Sequence, residues 1–111
     1  MPYLDQSKLT NLKNNLHKYS EDRRDIIKLS GDALHIAKRC IFSLHRDNLV
    51  EAQEKLVAAE KILTEINVKH KKTAGLLSEG AYEASLEEYV EAKLFFSFVT
   101  KRKITLVTKT S

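Results

Sequence analysis

The sequence contains few of the residues that interrupt regular structure. Its 111 residues include only three glycines and one proline. This scarcity argues against a turn-rich β-sandwich or a disordered chain and favours long helices. The length suits one domain with one core, and we assign residues 1–111 to a single helical domain or to the N-terminal part of a longer one.

Cysteines and long apolar runs are scarce as well. The single cysteine, Cys40, excludes an internal disulfide, and its place among apolar residues is typical of a core side chain. No run is apolar enough for a signal peptide or a membrane span, so we expect a cytoplasmic protein without a membrane partner. Lysines and arginines exceed acidic residues by 19 to 15, and the net charge of +4 fits a polyanionic partner without requiring one.

The spacing of apolar and small residues predicts a long first helix, from a cap at Asp5 or Ser7 to Arg46. Its apolar stripe follows steps of three and four residues through Leu9, Leu12, Leu16, Tyr19, Ile26, Ser30, Ala33, Ala37, Cys40 and Leu44. At ~1.5 Å per residue this helix is about 60 Å long. A domain of this size cannot cover such a length, so we expect part of the helix to lie against something outside these residues.

Two further helices are predicted after a turn and cap at Asp47 and Asn48. The second repeats the spacing at Leu49, Ala52, Leu56, Ala59, Leu63 and Ile66, antiparallel to the first, and ends in a basic cluster at 69–72. A loop at 73–80 precedes a third helix over about 82–101, and the β-prone residues 104–111 are expected to be frayed. The prediction is an all-α fold, a bundle of long antiparallel helices.

The third helix carries two glutamates one helical turn apart, Glu88 and Glu91. They share a stripe with Ala84, Phe95 and Phe98, and the segment after Ala92 is apolar almost all round, which predicts burial. Two carboxylates beside a buried segment repel each other unless a cation or a donor balances them. Mg²⁺ or Mn²⁺ is one such cation, whereas the same spacing is also typical of a solvated or ion-paired helix face.

Two other glutamates, Glu83 and Glu87, are interpreted as first-turn acids that suit the helix dipole.

A basic line is predicted along the first helix. At ~100° per residue, its members project within about 60° of one another: Arg24, Lys28, His35, Arg39 and Arg46. A phosphate backbone fits such a line, whereas no aromatic residue is placed among these charges in a way that suggests base stacking, and Phe42 is the only candidate. The alternative is a solvated face paired with Asp25, Asp32 and Glu60. The spacing of Arg39 and His45 also matches a motif of another helical ribonuclease group, although helices contain that spacing often by chance.

Two blocks of the sequence resemble the translin family, and most closely its TRAX-type members (translin-associated factor X). The runs 28–32 (Lys-Leu-Ser-Gly-Asp) and 38–46 (Lys-Arg-Cys-Ile-Phe-Ser-Leu-His-Arg) resemble the first-helix signature of TRAX. The run 86–92 (Leu-Glu-Glu-Tyr-Val-Glu-Ala), continued by Phe95, Phe98, Val99 and Arg102, is similar to the segment that carries the TRAX catalytic glutamates.

The resemblance implies an RNA-binding, Mg²⁺-dependent endoribonuclease subunit of an oligomeric shell, built from its own copies or with translin-like subunits. It places Glu88 and Glu91 at catalytic, metal-binding positions, and the basic line at Arg24, Lys28, Arg39 and Arg46 would then hold RNA or single-stranded DNA. Family members continue beyond the equivalent of Lys101 with further helices, one of which brings another acidic residue to the metal site. Two alternatives stay open: a non-catalytic nucleic-acid-binding subunit like translin, and a helical-bundle interaction protein.

Overall fold

Three α-helices follow one another along the chain. The computed structural model describes residues 5–72, 75 and 80–110, and within these the helices are α1 (Gln6–His45), α2 (Leu49–Lys69) and α3 (Gly80–Thr110). The predicted all-α bundle of three helices is confirmed. Most of the loop predicted at 73–80 lies outside the described residues, but Gly80 already belongs to α3.

The first two helices begin where the sequence supplies a capping side chain. Asp5 accepts a hydrogen bond from the backbone N–H of Lys8 at 2.8 Å, which satisfies one of the unpaired amides at the start of α1. Asn48 does the same for the N–H of Glu51 at 3.1 Å. Between α1 and α2 the chain turns through Asp47, whose φ of 62° is accessible to an aspartate in a tight turn. Local side-chain chemistry therefore fixes both helix starts.

Each helix runs opposite to the one before it. α1 packs against both α2 and α3, whereas the contact between α2 and α3 is smaller. Tyr82, near the start of α3, packs in a cluster with Ile26, and Lys103, near its end, pairs with Asp47 at 2.6 Å. α3 is therefore parallel to α1. The result is a rod with extents of 83 × 18 × 17 Å.

The core runs along the seam between the helices in two clusters. The predicted stripe residues of α1 from Ile26 to Leu44 are all buried, as are the α2 residues Ala52, Leu56, Ala59, Leu63 and Ile66. Much of this seam consists of alanine, serine and the buried Cys40, which lets the helices approach closely. Tyr89 of α3 packs against both clusters and joins them.

Both ends of the rod extend beyond the bundle. We call residues 6–21 of α1 the N-terminal overhang, and all of them are exposed, including Leu9, Leu12, Leu16 and Tyr19. At the opposite end, residues 104–108 of α3 are exposed beyond the turn at Asp47. The expectation that the bundle cannot cover all of α1 is confirmed for this chain.

Two predictions about α3 are wrong. The residues at 104–110 are not frayed, because α3 continues helically through them, and the hydroxyls of Thr105 and Thr108 each donate to the carbonyl four residues back at 2.9 Å. The segment after Ala92 is also not buried as a whole, since Leu94 is 65% exposed and Phe98 is 62% exposed. Only the side of α3 that faces α1 and α2 is covered.

No helix in the described part of the chain is long and apolar enough to cross a membrane.

Candidate nucleic-acid interface and acidic pair

The predicted basic line occupies one exposed face of α1. Arg24, Lys28, Arg39 and Arg46 are all exposed. At ~100° per residue they project about half a turn away from the buried stripe that begins at Ile26. The alternative partners from the sequence, Asp25, Asp32 and Glu60, form no ion pair with these four residues among the residues that the structure describes. The face is therefore available to an external polyanion.

Arg46 differs from the other three basic residues. It follows the last residue of α1, and its guanidinium Nη2 lies 3.0 Å from the Glu51 carboxylate of α2. The same carboxylate accepts a hydrogen bond from the Asn48 amide at 3.0 Å. Arg46 therefore helps to hold the turn between α1 and α2, with its charge largely balanced by Glu51.

A cleft opens between the end of α1 and the start of α2, and we call it the α1–α2 cleft. It has a volume of about 350 Å³ and is lined by Arg39, Phe42, Ser43, Arg46, Glu51 and Lys55. Lys55 was not predicted as part of a site, because only the antiparallel packing of α2 brings it beside Arg39. The cleft thus joins two residues of the basic line to an exposed aromatic ring and to a cation from a second helix.

The acidic pair has an uneven environment. Glu88 is half-buried beside the seam, Tyr89 points into the core, and Glu91 is exposed. Glu91 borders a shallow depression of about 380 Å³ that is also lined by Leu86, Glu87 and Val90. α3 begins at Gly80, so Glu87 lies beyond its first turn and not within it as predicted, whereas Glu83 does lie in the first turn. Glu87 and Glu91 therefore border the same depression. Their spacing of four residues indicates a shared helix face, but Glu87 was not predicted to lie at the site.

Glu88 and Glu91 offer two carboxylates to a divalent metal ion. Mg²⁺ in proteins commonly takes one or two carboxylates and completes its octahedral shell with water and phosphate oxygens. Glu88 and Glu91 could supply such a partial shell. Within residues 5–72, 75 and 80–110 there is no group of three or more His, Cys, Asp or Glu residues arranged to hold a metal ion.

The basic line and the acidic pair occupy different sides of the rod. α3 packs on the buried stripe of α1, and the basic line projects from the opposite side of that helix. One chain therefore does not bring Arg24 or Lys28 next to Glu91.

The histidines have separate surroundings. His45 meets the ring of Phe95 edge-on, with the two centroids 5.1 Å apart, whereas Arg39 lines the α1–α2 cleft. The Arg39 and His45 pair considered from the sequence is therefore divided between two sides of α1. His17 forms an exposed pair with Glu21 at 2.9 Å on the N-terminal overhang.

His70 was predicted only as part of a basic cluster, but its side chain is buried at the end of α2. Its Nε2 lies 2.7 Å from Oδ2 of Asp25 and donates to it, because a carboxylate only accepts. Lys69 contacts the same oxygen at 3.0 Å, and Asp22 lies 3.8 Å from Nδ1 of His70. The hydrogen bond from His70, and then the hydrogen bond and charge of Lys69, lower the pKa of Asp25 despite its partial burial. This cluster fastens the end of α2 to α1.

Two other side chains have raised pKa values. Burial, assisted by the Glu60 carboxylate, raises the pKa of Tyr89 to about 12. Burial also raises the pKa of the Cys40 thiol. Both groups stay protonated at neutral pH, so neither serves as a general base or as an activated nucleophile, in agreement with the core role predicted for Cys40.

Comparisons of the chain with protein-family models, with curated proteins and with solved structures find no match.

Proposed function

We propose that this chain is an RNA-binding subunit of an oligomeric, Mg²⁺-dependent endoribonuclease similar to the TRAX-type members of the translin family, and that it acts in the cytoplasm. The observation that carries the RNA-binding part is the exposed basic line on α1, which faces away from the core. Neutralising phosphates releases counterions and gives affinity that depends on salt and not on sequence. Arg24, Lys28 and Arg39 serve this purpose best, because Arg46 is already paired with Glu51.

The catalytic part of the proposal rests on Glu88 and Glu91. They lie one turn apart on α3, with Glu91 exposed and Glu88 half-buried, and two carboxylates match the number that Mg²⁺ or Mn²⁺ accepts from a protein when it also binds phosphate oxygens. Such an ion activates water and stabilises the charge that develops at the phosphate. In this proposal the two glutamates would hold the ion and orient the attacking water, and Glu91 is the more exposed of the two.

Assembly is the third part of the proposal. The basic line and the acidic pair do not meet in one chain, so a shared RNA path requires at least a second subunit. The N-terminal overhang exposes an apolar stripe through Leu9, Leu12, Leu16 and Tyr19, and a helix with such a face usually has a packing partner. A second copy or a translin-like subunit would cover this face and add oxygen ligands to the metal site.

The test is cleavage of labelled single-stranded RNA by the purified chain with Mg²⁺, Mn²⁺ or EDTA. Glu88→Gln and Glu91→Gln keep the size of the side chain and remove its charge, and each is expected to reduce cleavage by ~100-fold or more, as loss of a group that stabilises transition-state charge commonly does. RNA binding in EDTA should stay unchanged. Glu54→Gln, at an exposed position of α2, is the matched control and should cleave normally. Full Mg²⁺-dependent cleavage by both variants would contradict the catalytic assignment.

A non-catalytic RNA-binding subunit is the second candidate. It is favoured by the small number of carboxylates that one chain offers at Glu88 and Glu91. It predicts binding that persists in EDTA, with a steep dependence on salt, and no cleavage with either metal ion. If RNA does not bind even at low salt, a helical-bundle interaction protein is the better description.

A further inference from the structure

The α1–α2 cleft combines two features that single-stranded nucleic-acid sites use together. Phe42 is 66% exposed at the cleft, so much of its ring is open to a ligand. An exposed ring beside cations offers a flat apolar surface for stacking, whereas isolated cations attract only phosphate. The volume of about 350 Å³ lies at the lower end of the ~300–1,000 Å³ range typical of small-molecule sites, and therefore suits a single nucleotide unit.

The charges in the cleft are arranged so that two cations remain for a ligand. Arg39, Arg46 and Lys55 face the single acid Glu51. Glu51 is engaged by Arg46 at 3.0 Å. Neither Arg39 nor Lys55 forms an ion pair in the part of the chain that the structure describes. These two side chains come from different helices, so they can contact a phosphate from both sides of the cleft.

The floor of the cleft does not compete for these contacts. The buried Ser43 hydroxyl donates to the Arg39 carbonyl at 3.0 Å, and its hydrogen is therefore not available to a ligand. The turn is held by the contacts of Glu51 with Asn48 and Arg46. The cleft is formed before a ligand arrives, and this reduces the entropy lost on binding.

We propose that the α1–α2 cleft binds one nucleotide of single-stranded RNA, with the base stacked on Phe42 and an adjacent phosphate held between Arg39 and Lys55. This inference rests on the proposed RNA-binding function and adds a base-contacting position to it. The rest of the basic line contacts only phosphates. An unpaired base is required, because bases in a duplex are stacked on one another and present only their edges.

The experiment measures binding of a labelled oligouridylate to the full chain by fluorescence anisotropy, in EDTA and at low salt. A second probe is an abasic oligomer with the same number of phosphates, and a third is double-stranded RNA. Phe42→Leu keeps an apolar side chain and removes the aromatic face. It is expected to weaken oligouridylate binding by about 10-fold, within the range for loss of one base–aromatic stack, and to leave binding of the abasic oligomer unchanged. Phe42→Tyr should restore full affinity.

Lys55→Gln is expected to weaken binding of the oligouridylate and the abasic oligomer equally and to reduce the salt slope by about 0.7, the value for one lost phosphate contact on a single strand. Phe98→Leu is the matched control, since Phe98 is also an exposed phenylalanine but lies on α3 away from the cleft. It should bind as the unmodified chain does.

The outcomes separate this inference from the proposed function. If the unmodified chain binds oligouridylate and Phe42→Leu binds it equally well, the stacking site is wrong and RNA binding stands. Equal affinity for the oligouridylate and the abasic oligomer would also overturn the stacking site. If the unmodified chain binds no RNA probe, both proposals fail together. Cleavage by the Glu88 and Glu91 variants is measured separately and does not depend on Phe42.

Discussion

The bundled part of α1 and the N-terminal overhang have the same periodicity and opposite surroundings. From Ile26 to Leu44 the stripe is buried against α2 and α3, whereas Leu9, Leu12, Leu16 and Tyr19 on the continuing stripe are about half exposed. The side chains also differ in size. The bundled stripe is rich in alanine and serine, and the overhang has leucines and a tyrosine. Small residues suit close contact with α2 and α3, and the larger ones on the overhang remain about half exposed among the described residues.

This difference shows that periodicity predicts a helix with an apolar face but not the element that covers the face. α2 ends at Lys69, where His70 contacts Asp25 of α1, so only its last residues come near the overhang, at Lys18. Each of the following predictions tests whether the two regions really differ in stability and burial.

The largest expected effect comes from truncating one leucine in the core that α2 forms with the bundled part of α1 and one leucine in the overhang. Leu63 is 5% exposed, and Leu63→Ala is expected to lower the free energy of unfolding by about 2–5 kcal/mol, since it removes buried apolar surface and leaves a cavity. Leu12 is 49% exposed, and Leu12→Ala should change it by no more than ~0.5 kcal/mol at low protein concentration. Urea unfolding measures both. If Leu12→Ala lowers the unfolding free energy as much as Leu63→Ala does, and this loss grows with protein concentration, a second copy covers the overhang.

A smaller effect is expected from the ion pairs that each region contains. Asp25→Asn removes the negative charge that both His70 and Lys69 contact and should reduce stability by about 1–2 kcal/mol at neutral pH, because it weakens a charged hydrogen bond at a partly buried site. Glu21→Gln, which breaks only the exposed pair with His17, is the control and should have hardly any effect.

The Asp25 effect should depend on pH in a defined direction. The pKa of Asp25 is lower in the folded chain than its ordinary value, so its stabilising contribution is complete above the unfolded pKa of ~3.9. The contribution is lost as the pH falls through the lower folded value. The difference in unfolding free energy between the unmodified chain and Asp25→Asn should therefore shrink below about pH 4. A difference that stays constant from neutral pH to pH ~2 would contradict this role for the carboxylate.

The smallest effect is expected where α3 leaves the bundle. Lys103 pairs with Asp47 at 2.6 Å, but both side chains are substantially exposed, at 41% and 66%. Lys103→Met should therefore reduce the unfolding free energy by no more than ~0.5 kcal/mol, with the difference vanishing at high salt. Lys101→Met at a nearby exposed position is the matched control. A decrease of several kcal/mol in the unfolding free energy would show that the end of α3 is packed into the bundle as its middle is.

The helix starts and most of the core could be predicted because they depend on local chemistry. Asp5 and Asn48 cap α1 and α2 through hydrogen bonds to amides three residues away, and such contacts are visible in sequence. The end of α3 could not be predicted in the same way. Ile104 and Val107 favour strands when considered singly, but adding a residue to an existing helix requires no new nucleus, and the helix therefore continues.

The candidate sites also contain features that depend on one helix and features that depend on the packing of two helices. The basic line and the spacing of Glu88 and Glu91 follow from the geometry of single helices, and the sequence predicts both. The addition of Lys55 to Arg39 required α1 and α2 to pack as a hairpin, and the burial of His70 required the end of α2 to meet Asp25. Neither contact is encoded by spacing along one helix.

The amino-acid sequence determined three helices, two of their caps, the stripe that faces the core and the line of cations that does not. It could do so because each residue of a regular helix is rotated by a fixed angle from the one before it, so the sequence position predicts the direction in which a side chain projects. The tertiary structure decided which part of each stripe is covered, and that Arg39, Phe42 and Lys55 share a cleft. Those outcomes depend on how far one helix extends along another, and this is set by packing between residues distant in the chain.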